Sequence, residues 1–448
     1  MEMNVADLDT TSIEKELEDA IVKLEEEEEK PKKVSKKIKK ATKKDSQVAE
    51  EGLNPETMKL MDIPGLGPKT AKALEDGGIE SPAQLLEIKL SRFDELGIAR
   101  TMGKKIRASV VNLFPEKYAD FNESYSLEDI EGIGPTTAKA LREKGMNFAL
   151  LETTPVRELE ARYGITANTA QKYQAVVIDT KGGFFTDAFA IMNKQQSSRT
   201  VTFGADSVDN LFSIPELNST GLREGETYEF FGAFRSGKSQ LCHQICVTVQ
   251  LPEEKGGLGK KAIFLDTEGT FSPSRLTQIA TRIKLEKNWD KSVEDILKDI
   301  VYARVKNSDS QQAIAHKLLE YLGNRPGEFG LLVLDSVSAH FRAEYAGRGT
   351  LAERQQTLNY HLSILHRIAD TYGLIIAVTN QVQSNPAQFF GDPTNAVGGN
   401  IMGHWAGTRC YLRKSKGERR IIKIYDSPVL PENEAVFEIT ESGVMSSE

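Results

Sequence analysis

Eight residues, GAFRSGKS from Gly232 to Ser239, have the composition and spacing of a phosphate-binding loop. Glycines at both ends let the backbone bend so that successive N–H groups point at a β-phosphate. Lys238 adds a positive charge near the β- and γ-phosphates, and Ser239 offers a hydroxyl ligand to Mg²⁺. The alternative is a glycine-rich turn with a chance lysine. The other positions expected to bind the nucleotide are Gly232, Ala233, Phe234, Arg235, Ser236 and Gly237.

Three polar residues end strand-like runs further along the chain. Asp335 follows LLVL and is the acid expected to hold Mg²⁺ with Ser239. Glu268, in KKAIFLDTEG, is the acid best placed to orient and deprotonate an attacking water; the alternative is a helix N-terminal acid. Gln381 ends LIIAVTNQ, where its amide could sense the γ-phosphate or simply cap the strand. These types and positions predict ATP and Mg²⁺ as cofactors.

The elements that position these residues follow from an alternation of strand and helix patterns. TYEFF runs into the phosphate loop, and helical patterns cover Ser274 to Glu286, Gln311 to Leu322 and Leu351 to Tyr372. Near-continuous aliphatic strands separated by helices predict a mostly parallel sheet covered on both faces. Open α/β sheets bind ligands at the carboxyl ends of their strands. The last runs, TRCYLRKS, RRIIKIYDS and AVFEITESG, predict antiparallel strands at one edge.

Two long glycine-rich segments, His340 to Arg354 and Val382 to His404, lack apolar periodicity. They are predicted to be structureless loops, which in a compact domain are usually functional. Arginines would bind phosphates, and phenylalanines would stack on bases. Mobile surface loops with incidental arginines are the alternative. The candidate DNA contacts are Arg342, Arg348, Arg354, Phe389, Phe390, Gly398 and Gly399.

Residues 54–178 contain a duplication. Ile63 to Ile79 matches Ile130 to Met146, with counterparts 67 positions apart. Each copy has a G-x-G-P turn between short helices and resembles the helix-hairpin-helix module, whose glycines let backbone N–H groups approach a nucleic-acid phosphate. A helical domain that holds subunits together is the alternative. The predicted domains are 54–115 and 122–178. Their candidate contacts are Gly65, Gly67 and Lys69, then Gly132, Gly134 and Lys139, with Thr136 at the position of Lys69.

Length and composition limit the remaining possibilities. A chain of 448 residues exceeds the size at which one core stops growing, so several domains are expected. A net charge of -8 means that nucleic acid must bind to local basic surfaces. Neither a membrane span nor a secretory signal is apparent, which predicts a cytoplasmic, nucleoid-associated protein. Cys242, Cys246 and Cys410 are expected to be reduced core thiols, the first two one turn apart on the helix after the loop.

Two further segments are assigned by composition. Residues 1–50 carry opposed blocks of acidic and lysine residues and are predicted to be a disordered charged tail, or alternatively a lysine-rich arm that steers the protein to phosphates. Residues 179–200 form a linker before the core at 201–448. Phe185 and Ala188 in FTDA have an F-x-x-A form, in which the phenylalanine fills a pocket of a neighbouring copy. A plain linker is the alternative.

Nine motifs from about Asp179 to the C-terminus resemble the RecA/Rad51 recombinase family: GAFRSGKSQ, LDTEGTF, LLVLDS, HFRAEYAGRG, TNQV, FFGDPT, VGGN, YLRKSKG and YDSPVLPE. The resemblance implies an α/β fold with a RecA-type ATPase core preceded by the tandem all-α domains. It implies a DNA-dependent ATPase that forms helical filaments on single-stranded DNA and exchanges strands with a duplex. The expected partners are single- and double-stranded DNA, further copies in a filament or ring, and recombination mediator proteins, without a membrane.

The resemblance also implies roles for single residues. Lys238 and Ser239 would hold the triphosphate and Mg²⁺, Glu268 would be the catalytic base, and Gln381 the sensor. Further implied nucleotide contacts are Arg275, stacked on adenine, and His404, Asp426, Ser427 and Pro428 at the subunit boundary.

The chain departs from the family pattern in places. Ala233 replaces a glutamate and Ser272 an arginine, which bears on nucleotide affinity and turnover. The family has one helix-hairpin-helix domain here, so it implies no role for the extra copy. A mediator paralogue and a RecA-fold ring helicase remain alternatives. Glu268 and the two long segments favour a recombinase, and the F-x-x-A sequence favours a filament.

Overall fold

A computed structural model describes residues 54–88, 90–114, 126–130, 132–180, 187–345, 347, 349–384 and 394–447. This part of the chain falls into two compact units, one within residues 1–124 and one within 125–448. The charged tail, Phe185, Arg348, Phe389 and Phe390 lie outside the described residues. What the sequence predicts for them stays a prediction.

The first unit contains the first repeat copy. Gly65 has a φ of +84°, which the tight turn needs, and Gly67 then caps a helix that begins at Pro68. Leu74, Leu85 and Phe93 are fully buried between the helices and form a small core. The helices are α1 (Pro68–Asp76), α2 (Pro82–Glu87), α3 (Leu90–Glu95) and α4 (Arg100–Leu113).

The second unit begins with the second repeat copy, which follows the same order of helices. Its hairpin glycine Gly132 has a φ of +92°, and Gly134 caps the next helix. The helices are α5 (Pro135–Glu143), α6 (Phe148–Thr153), α7 (Val156–Glu158), which continues as a π-helical turn (Leu159–Tyr163), and α8 (Ala167–Thr180).

The rest of the second unit is built on a nine-stranded sheet. Its strands are β3 (Thr227–Gly232), β4 (Lys261–Asp266), β5 (Ile300–Arg304), β6 (Phe329–Asp335), β7 (Ile375–Asn380), β10 (Thr408–Lys414), β11 (Arg419–Asp426), β12 (Glu434–Thr440) and β13 (Gly443–Ser446). Their order across the sheet is β13-β12-β11-β10-β3-β7-β6-β4-β5. Strands β10, β3, β7, β6, β4 and β5 run parallel to one another, and β10 to β13 pair antiparallel at one edge, which confirms the predicted mostly parallel sheet. Two short antiparallel pairs lie apart from this sheet: β1 (Thr200–Val201) with β2 (Leu222–Arg223), and β8 (Val382–Ser384) with β9 (Thr394–Ala396).

Helices cover both faces of this sheet and enclose two apolar clusters. The buried cysteines Cys242, Cys246 and Cys410 are free thiols and belong to one of these clusters, as expected. Among the described helices, none combines the length and apolar character that a membrane crossing needs. The helices are α9 (Ala188–Gln196), α10 (Asp206–Leu211), α11 (Lys238–Thr248), α12 (Pro273–Glu286), α13 (Val293–Lys298), α14 (Ser308–Gly323), α15 (Ala339–Glu344), α16 (Leu351–Tyr372) and α17 (Asn400–Trp405).

The prediction that His340 to Arg354 and Val382 to His404 are structureless was wrong for part of each segment. Helix α15 occupies the start of the first, because Phe341 is buried against His361 with ring centroids 5.8 Å apart. Strands β8 and β9 and helix α17 occupy part of the second. Ala396, Val397 and Met402 are buried there, but so few buried side chains in a glycine-rich run give no periodicity to detect.

The second repeat copy packs directly on the part of the unit that contains the sheet. Its buried residues Leu150, Leu159 and Val177 belong to the same apolar cluster as helices α14 and α16. The Thr153 and Thr371 hydroxyls lie 3.0 Å apart across this contact. The second copy and the sheet therefore form one unit, whereas the first copy forms its own core.

Candidate nucleotide site and adjoining segments

The phosphate loop connects β3 to α11 at the carboxyl end of the sheet. A Cβ on Gly232 would lie 2.1 Å from the Leu412 carbonyl oxygen, so no other residue fits there. Gly237 has a φ of +107°, and a Cβ on it would meet the Phe437 ring at 3.1 Å. Packing and backbone conformation therefore both require the two glycines that the motif supplies.

Within the loop, polar groups are arranged to receive an anion. The Lys238 Nζ donates hydrogen bonds to the carbonyl oxygens of Gly232 at 3.0 Å and Ala233 at 3.1 Å. Burial lowers the pKa of Lys238, against the opposing effect of the negative charges of Asp335 and Glu268. The Ser236 hydroxyl is buried without a partner among the described residues. A phosphate oxygen would satisfy this hydroxyl and replace the carbonyls around Lys238, so these residues fit a bound triphosphate.

Asp335 ends β6 and is buried below the loop. One of its oxygens accepts a hydrogen bond from the Thr379 hydroxyl, and the other accepts one from the Thr270 hydroxyl at 3.1 Å. Asp335 and Ser239 would hold Mg²⁺ together with water and phosphate oxygens, which are the ligands this ion prefers.

Glu268 lies in a turn that Asp266 holds at the end of β4. The Asp266 Oδ1 accepts the backbone N–H groups of Glu268 at 3.0 Å and Gly269 at 2.6 Å. Arg304, on the neighbouring strand β5, donates to the same oxygen at 3.0 Å. Asp266 thus fixes the backbone that carries the candidate base, although its signal in the sequence was only its place in LDTEG.

A series of two hydrogen bonds joins the candidate base Glu268 to Arg342 of the first long segment. The Gln381 Nε2 donates to Glu268 Oε1 at 2.8 Å. The Arg342 Nη1 donates to Gln381 Oε1 at 3.5 Å, the long end of hydrogen bonding. The amide of Gln381 therefore connects a candidate DNA contact to the candidate catalytic carboxylate.

His243, which the sequence did not single out, links the phosphate-loop helix to the turn after Glu268. Its Nδ1 bonds the Ser239 carbonyl oxygen at 2.6 Å, and its Nε2 accepts the Ser272 backbone N–H at 3.2 Å. Burial lowers the pKa of His243, which favours the neutral ring that this pair of hydrogen bonds needs. Its position four residues after Ser239, on the same helix face, was the signal available.

Arg275 is held between the start of helix α11 and the end of strand β12. Its Nε donates to Gln240 Oε1 at 2.6 Å and its Nη2 to the Thr440 carbonyl oxygen at 2.7 Å. Burial lowers the pKa of Arg275. Ser272 is the N-cap of α12, since its side chain accepts the Arg275 backbone N–H at 3.3 Å.

The residues expected at the subunit boundary lie apart from the phosphate loop. His404 and Asp426 line one cavity of about 480 Å³, whereas Pro428 lines another of about 110 Å³. Neither cavity is lined by a phosphate-loop residue.

The remaining candidates are at the surface or near it. Ala188 begins helix α9 and is exposed, and Phe189 beside it is 66% exposed. Among the DNA candidates that the structure describes, Arg342 and Gly399 are exposed, and Arg354 and Gly398 are half-buried. Gly398 and Gly399 both have positive φ, at +97° and +57°, immediately before α17.

Comparison with known proteins identifies the family of this chain. The Rad51 family model matches residues 194–447. The chain belongs to the Rad51 family. A model of tandem SAM-like helix-hairpin-helix motifs matches residues 58–109 and 124–172, which confirms that both repeat copies are helix-hairpin-helix modules.

One curated relative is the DNA repair and recombination protein RadA of Aeropyrum pernix. It is 41% identical to this chain over 331 residues, which cover 73% of the chain and 99% of the relative. The matched length is shorter than the stretch from residue 54 to the C-terminus, so part of that stretch has no counterpart in this relative. The predicted RecA-type core is confirmed by the family match and by the sheet.

Proposed function

We propose that this chain is an ATP-dependent homologous recombinase. With ATP and Mg²⁺, it assembles as a homo-oligomer along single-stranded DNA and exchanges strands with a homologous duplex. The series of contacts from Arg342 through Gln381 to Glu268 carries this proposal, because it gives DNA a physical route to the catalytic base. The similarity to a protein named for DNA repair and recombination supports the same substrate class.

The residues of the site have distinct roles in hydrolysis. Lys238 and the backbone N–H groups of the loop bind the phosphates, and Mg²⁺ held by Ser239 and Asp335 neutralises charge there when it is bound. Glu268 orients and deprotonates the attacking water. The turn held by Asp266 keeps the Glu268 carboxylate at the loop, and His243 keeps that turn against α11.

DNA stimulates the reaction by changing the partners of Gln381. Without DNA, the Gln381 amide donates to Glu268 Oε1 and so occupies an oxygen that would otherwise accept the proton of water. A DNA phosphate draws Arg342 away from the Gln381 Oε1, and the amide then turns toward the γ-phosphate. Glu268 is released to accept the proton of the attacking water. The complete set of Lys238, Asp335 and Glu268 favours a turning-over ATPase rather than a mediator that only binds ATP.

The boundary residues and the linker serve assembly. His404, Asp426 and Pro428 of one copy reach the nucleotide of the next, and Phe185 with Ala188 anchors successive copies. Arg348, Phe389 and Phe390 join Arg342, Arg354, Gly398 and Gly399 in contacting DNA along the filament axis. The protein works in the cytoplasm at the nucleoid, where mediator proteins assist its loading.

A strand-exchange assay with homologous single-stranded and duplex DNA tests the proposal. The wild-type protein should exchange strands only with ATP and Mg²⁺, and its rate of ATP hydrolysis should rise when single-stranded DNA is added. The variant Lys238→Ala should lose both activities because the β- and γ-phosphates lose the positive charge of Lys238. Equal wild-type hydrolysis with and without DNA, together with absent strand exchange, would exclude a recombinase.

A further inference from the structure

A buried amide connects segments that the proposed mechanism treats separately. Asn380, at the end of β7, is fully buried next to Gln381. Its Nδ2 donates to Glu229 Oε1 at 2.7 Å and to the Val397 carbonyl oxygen at 2.6 Å. Its Oδ1 accepts the Ser338 hydroxyl at 2.6 Å and the Gln381 backbone N–H at 2.9 Å. All donor and acceptor positions of this amide are therefore engaged by four different partners.

The partners of Asn380 lie next to or within the two candidate DNA segments. Ser338 immediately precedes helix α15, which carries Arg342. Val397 immediately precedes Gly398 and Gly399. Gln381 is the residue that holds Glu268. A shift of the Asn380 amide would thus be felt at both segments and at the catalytic turn.

The network continues through Glu229 to the opposite side of β3. Glu229 is fully buried, and its Oε2 accepts a hydrogen bond from Arg409 Nε at 2.6 Å. The Arg409 guanidinium carbon lies 5.1 Å from the centre of the Phe231 ring and 5.4 Å from that of Tyr425. Aromatic faces attract a cation, so the rings fix the guanidinium in one orientation.

Arg409 also lines the cavity of about 480 Å³ that contains His404 and Asp426. One end of the network therefore faces a cavity open to a ligand, and the other end touches Gln381. A buried ion pair of this kind adds little net stability compared with an apolar replacement, but it imposes one geometry on the groups that it joins. Because the geometry is fixed, a movement at the cavity end of the network shifts the groups at the Gln381 end, which is what coupling between two sites requires.

We propose that Arg409, Glu229 and Asn380 form a positioning relay between the cavity of His404 and Asp426 and the Gln381–Glu268 contact. An anionic group that enters the cavity competes with Glu229 for Arg409. Glu229 and Asn380 then re-form their hydrogen bonds, and the backbone of Gln381 moves with Oδ1 of Asn380. The relay rests on the proposed DNA-stimulated hydrolysis, and it lets the boundary of one subunit set the position of its own catalytic base.

Two isosteric substitutions test the central link of the relay. Glu229→Gln replaces an acceptor oxygen with an NH₂ group, so either Arg409 or Asn380 loses its acceptor and faces a donor instead. Asn380→Asp places a carboxylate against Glu229. Each single variant should lower the DNA-stimulated rate of ATP hydrolysis about tenfold or more, because small misplacements of catalytic groups have effects of that size. The equilibrium constant for binding a fluorescent ATP analogue without DNA should stay within about twofold, since the phosphate loop is untouched.

The double variant Glu229→Gln, Asn380→Asp provides the rescue. The amide introduced by Glu229→Gln can accept from Arg409 and donate to the carboxylate introduced by Asn380→Asp, which restores the link between these two residues with its hydrogen bond reversed. The Val397 carbonyl oxygen still lacks its donor, so the rescue is partial. The double variant should therefore regain at least part of the DNA stimulation that both single variants lose. A double variant no better than the poorer single variant would overturn the relay, provided that its melting temperature matches the wild type.

Milder variants cover the case in which the buried substitutions prevent folding. Arg409→Lys keeps the charge but loses the Nε donor, and Ser338→Ala removes one hydroxyl. Both should reduce DNA stimulation and leave ATP binding unchanged. Arg413→Gln is the control on the same strand, because Arg413 forms an exposed ion pair with Glu434 at 3.1 Å. Full DNA stimulation in folded Arg409→Lys and Ser338→Ala would also overturn the relay. Absent stimulation in the wild type would instead reject the proposed function.

Discussion

The two helix-hairpin-helix copies descend from one sequence pattern but differ in what surrounds them. The second copy shares a unit with the ATPase core, where Glu158 accepts hydrogen bonds from Arg367 Nη1 at 2.9 Å and Nη2 at 3.2 Å. The corresponding position in the first copy is Ser91. The first copy has its own core in a separate unit.

A few surface positions therefore decide whether such a module belongs to the unit of the sheet. The interior pattern is common to both copies: Gln174 donates to backbone carbonyl oxygens of the second copy, as Arg107 does at the same position of the first. Most of the residues that face the core differ between the copies. In the second copy they are Gly145, Asn147, Thr153 and Glu158, and their counterparts in the first copy are Gly78, Glu80, Leu86 and Ser91.

The largest effect on this comparison should come from Arg367→Ala. The side chains of Arg367 and Glu158 are only 7% and 10% exposed, so removing the cation leaves a buried carboxylate without its bidentate partner. We expect a loss of about 3–5 kcal/mol in the free energy of unfolding of the second unit. Urea denaturation followed by circular dichroism measures it.

Arg92→Ala in the first copy is the matched control. Arg92 pairs with Glu95, but the two side chains are 44% and 59% exposed. The loss there should be below about 1 kcal/mol. Similar losses for Arg367→Ala and Arg92→Ala would mean that the Glu158–Arg367 pair does not hold the second copy on the core.

The next-largest effect is a dependence of the free energy of unfolding on pH, which we expect from the Glu158 contact of the second copy. Burial raises the pKa of Glu158, but hydrogen bonds from His316 and Arg367 outweigh it and lower the pKa from 4.5 to about 2. A depressed carboxyl pKa stabilises the fold fully above pH 4.5, and this contribution is lost as the pH falls toward 2. A shift of this size corresponds to about 3 kcal/mol.

Comparison with Glu158→Gln isolates this contribution. Wild type should exceed Glu158→Gln in unfolding free energy by a constant amount above pH 5, and the two should converge at lower pH. The measurement is a set of urea titrations across that range. A difference that stays constant down to pH 3 would contradict the assignment of the shift to Glu158.

A pair of glycines gives a smaller and purely steric test. Gly145 has a φ of +77°, and a Cβ on it would lie 1.9 Å from Glu320 Cγ of the core. Its counterpart Gly78 has a φ of +83°, with nothing within 4 Å of such a Cβ. Both alanine variants carry backbone strain of about 1 kcal/mol, but Gly145→Ala should cost roughly 1–3 kcal/mol more because it pushes the module off helix α14.

Each glycine variant is measured by the unfolding of its own unit, with the wild-type chain as reference. Hydrogen exchange should rise along α6 and α7 in Gly145→Ala, where the second copy meets the core. Equal destabilisation by the two substitutions would show that the second copy moves freely enough to absorb the added methyl group.

Features that depend on residues close in sequence could be predicted, whereas features that depend on long-range contacts could not. The phosphate loop, Asp335 and the alternation of strands were readable, because each depends on residues close in sequence. Docking of the second copy was not readable, since Glu158 and Arg367 lie far apart in the chain and neither belongs to a periodic pattern. The same applies to Glu229 and Arg409, whose pairing depends on which strands are neighbours in the sheet.

The partial helices in the two long segments were missed for a related reason. Helix α15 has six residues and α17 also has six, which is too short for a 3.6-residue period to appear. Tertiary anchors hold them instead, as where the Trp405 Nε1 donates to the Leu362 carbonyl oxygen at 2.8 Å. Such contacts leave no mark in the local sequence.

The smallest effect concerns DNA binding by the hairpins themselves. Lys69 follows the first hairpin, and the exposed Thr136 takes its place in the second. If both hairpins contact phosphates through backbone N–H groups, the lysine adds one counterion-releasing contact only in the first copy. Lys69→Ala should reduce the slope of log binding constant against log salt on duplex DNA by about 0.9, and Thr136→Ala should leave it unchanged.

Thr136→Lys completes this comparison, because it gives the second hairpin the charge of the first. If the second hairpin reaches DNA while it is docked on the core, the slope should steepen by about 0.9. An unchanged slope in Thr136→Lys, together with the expected loss in Lys69→Ala, would mean that docking removes the second hairpin from DNA. The duplication would then have separated two tasks, with the second copy bracing the core and the first copy binding the duplex.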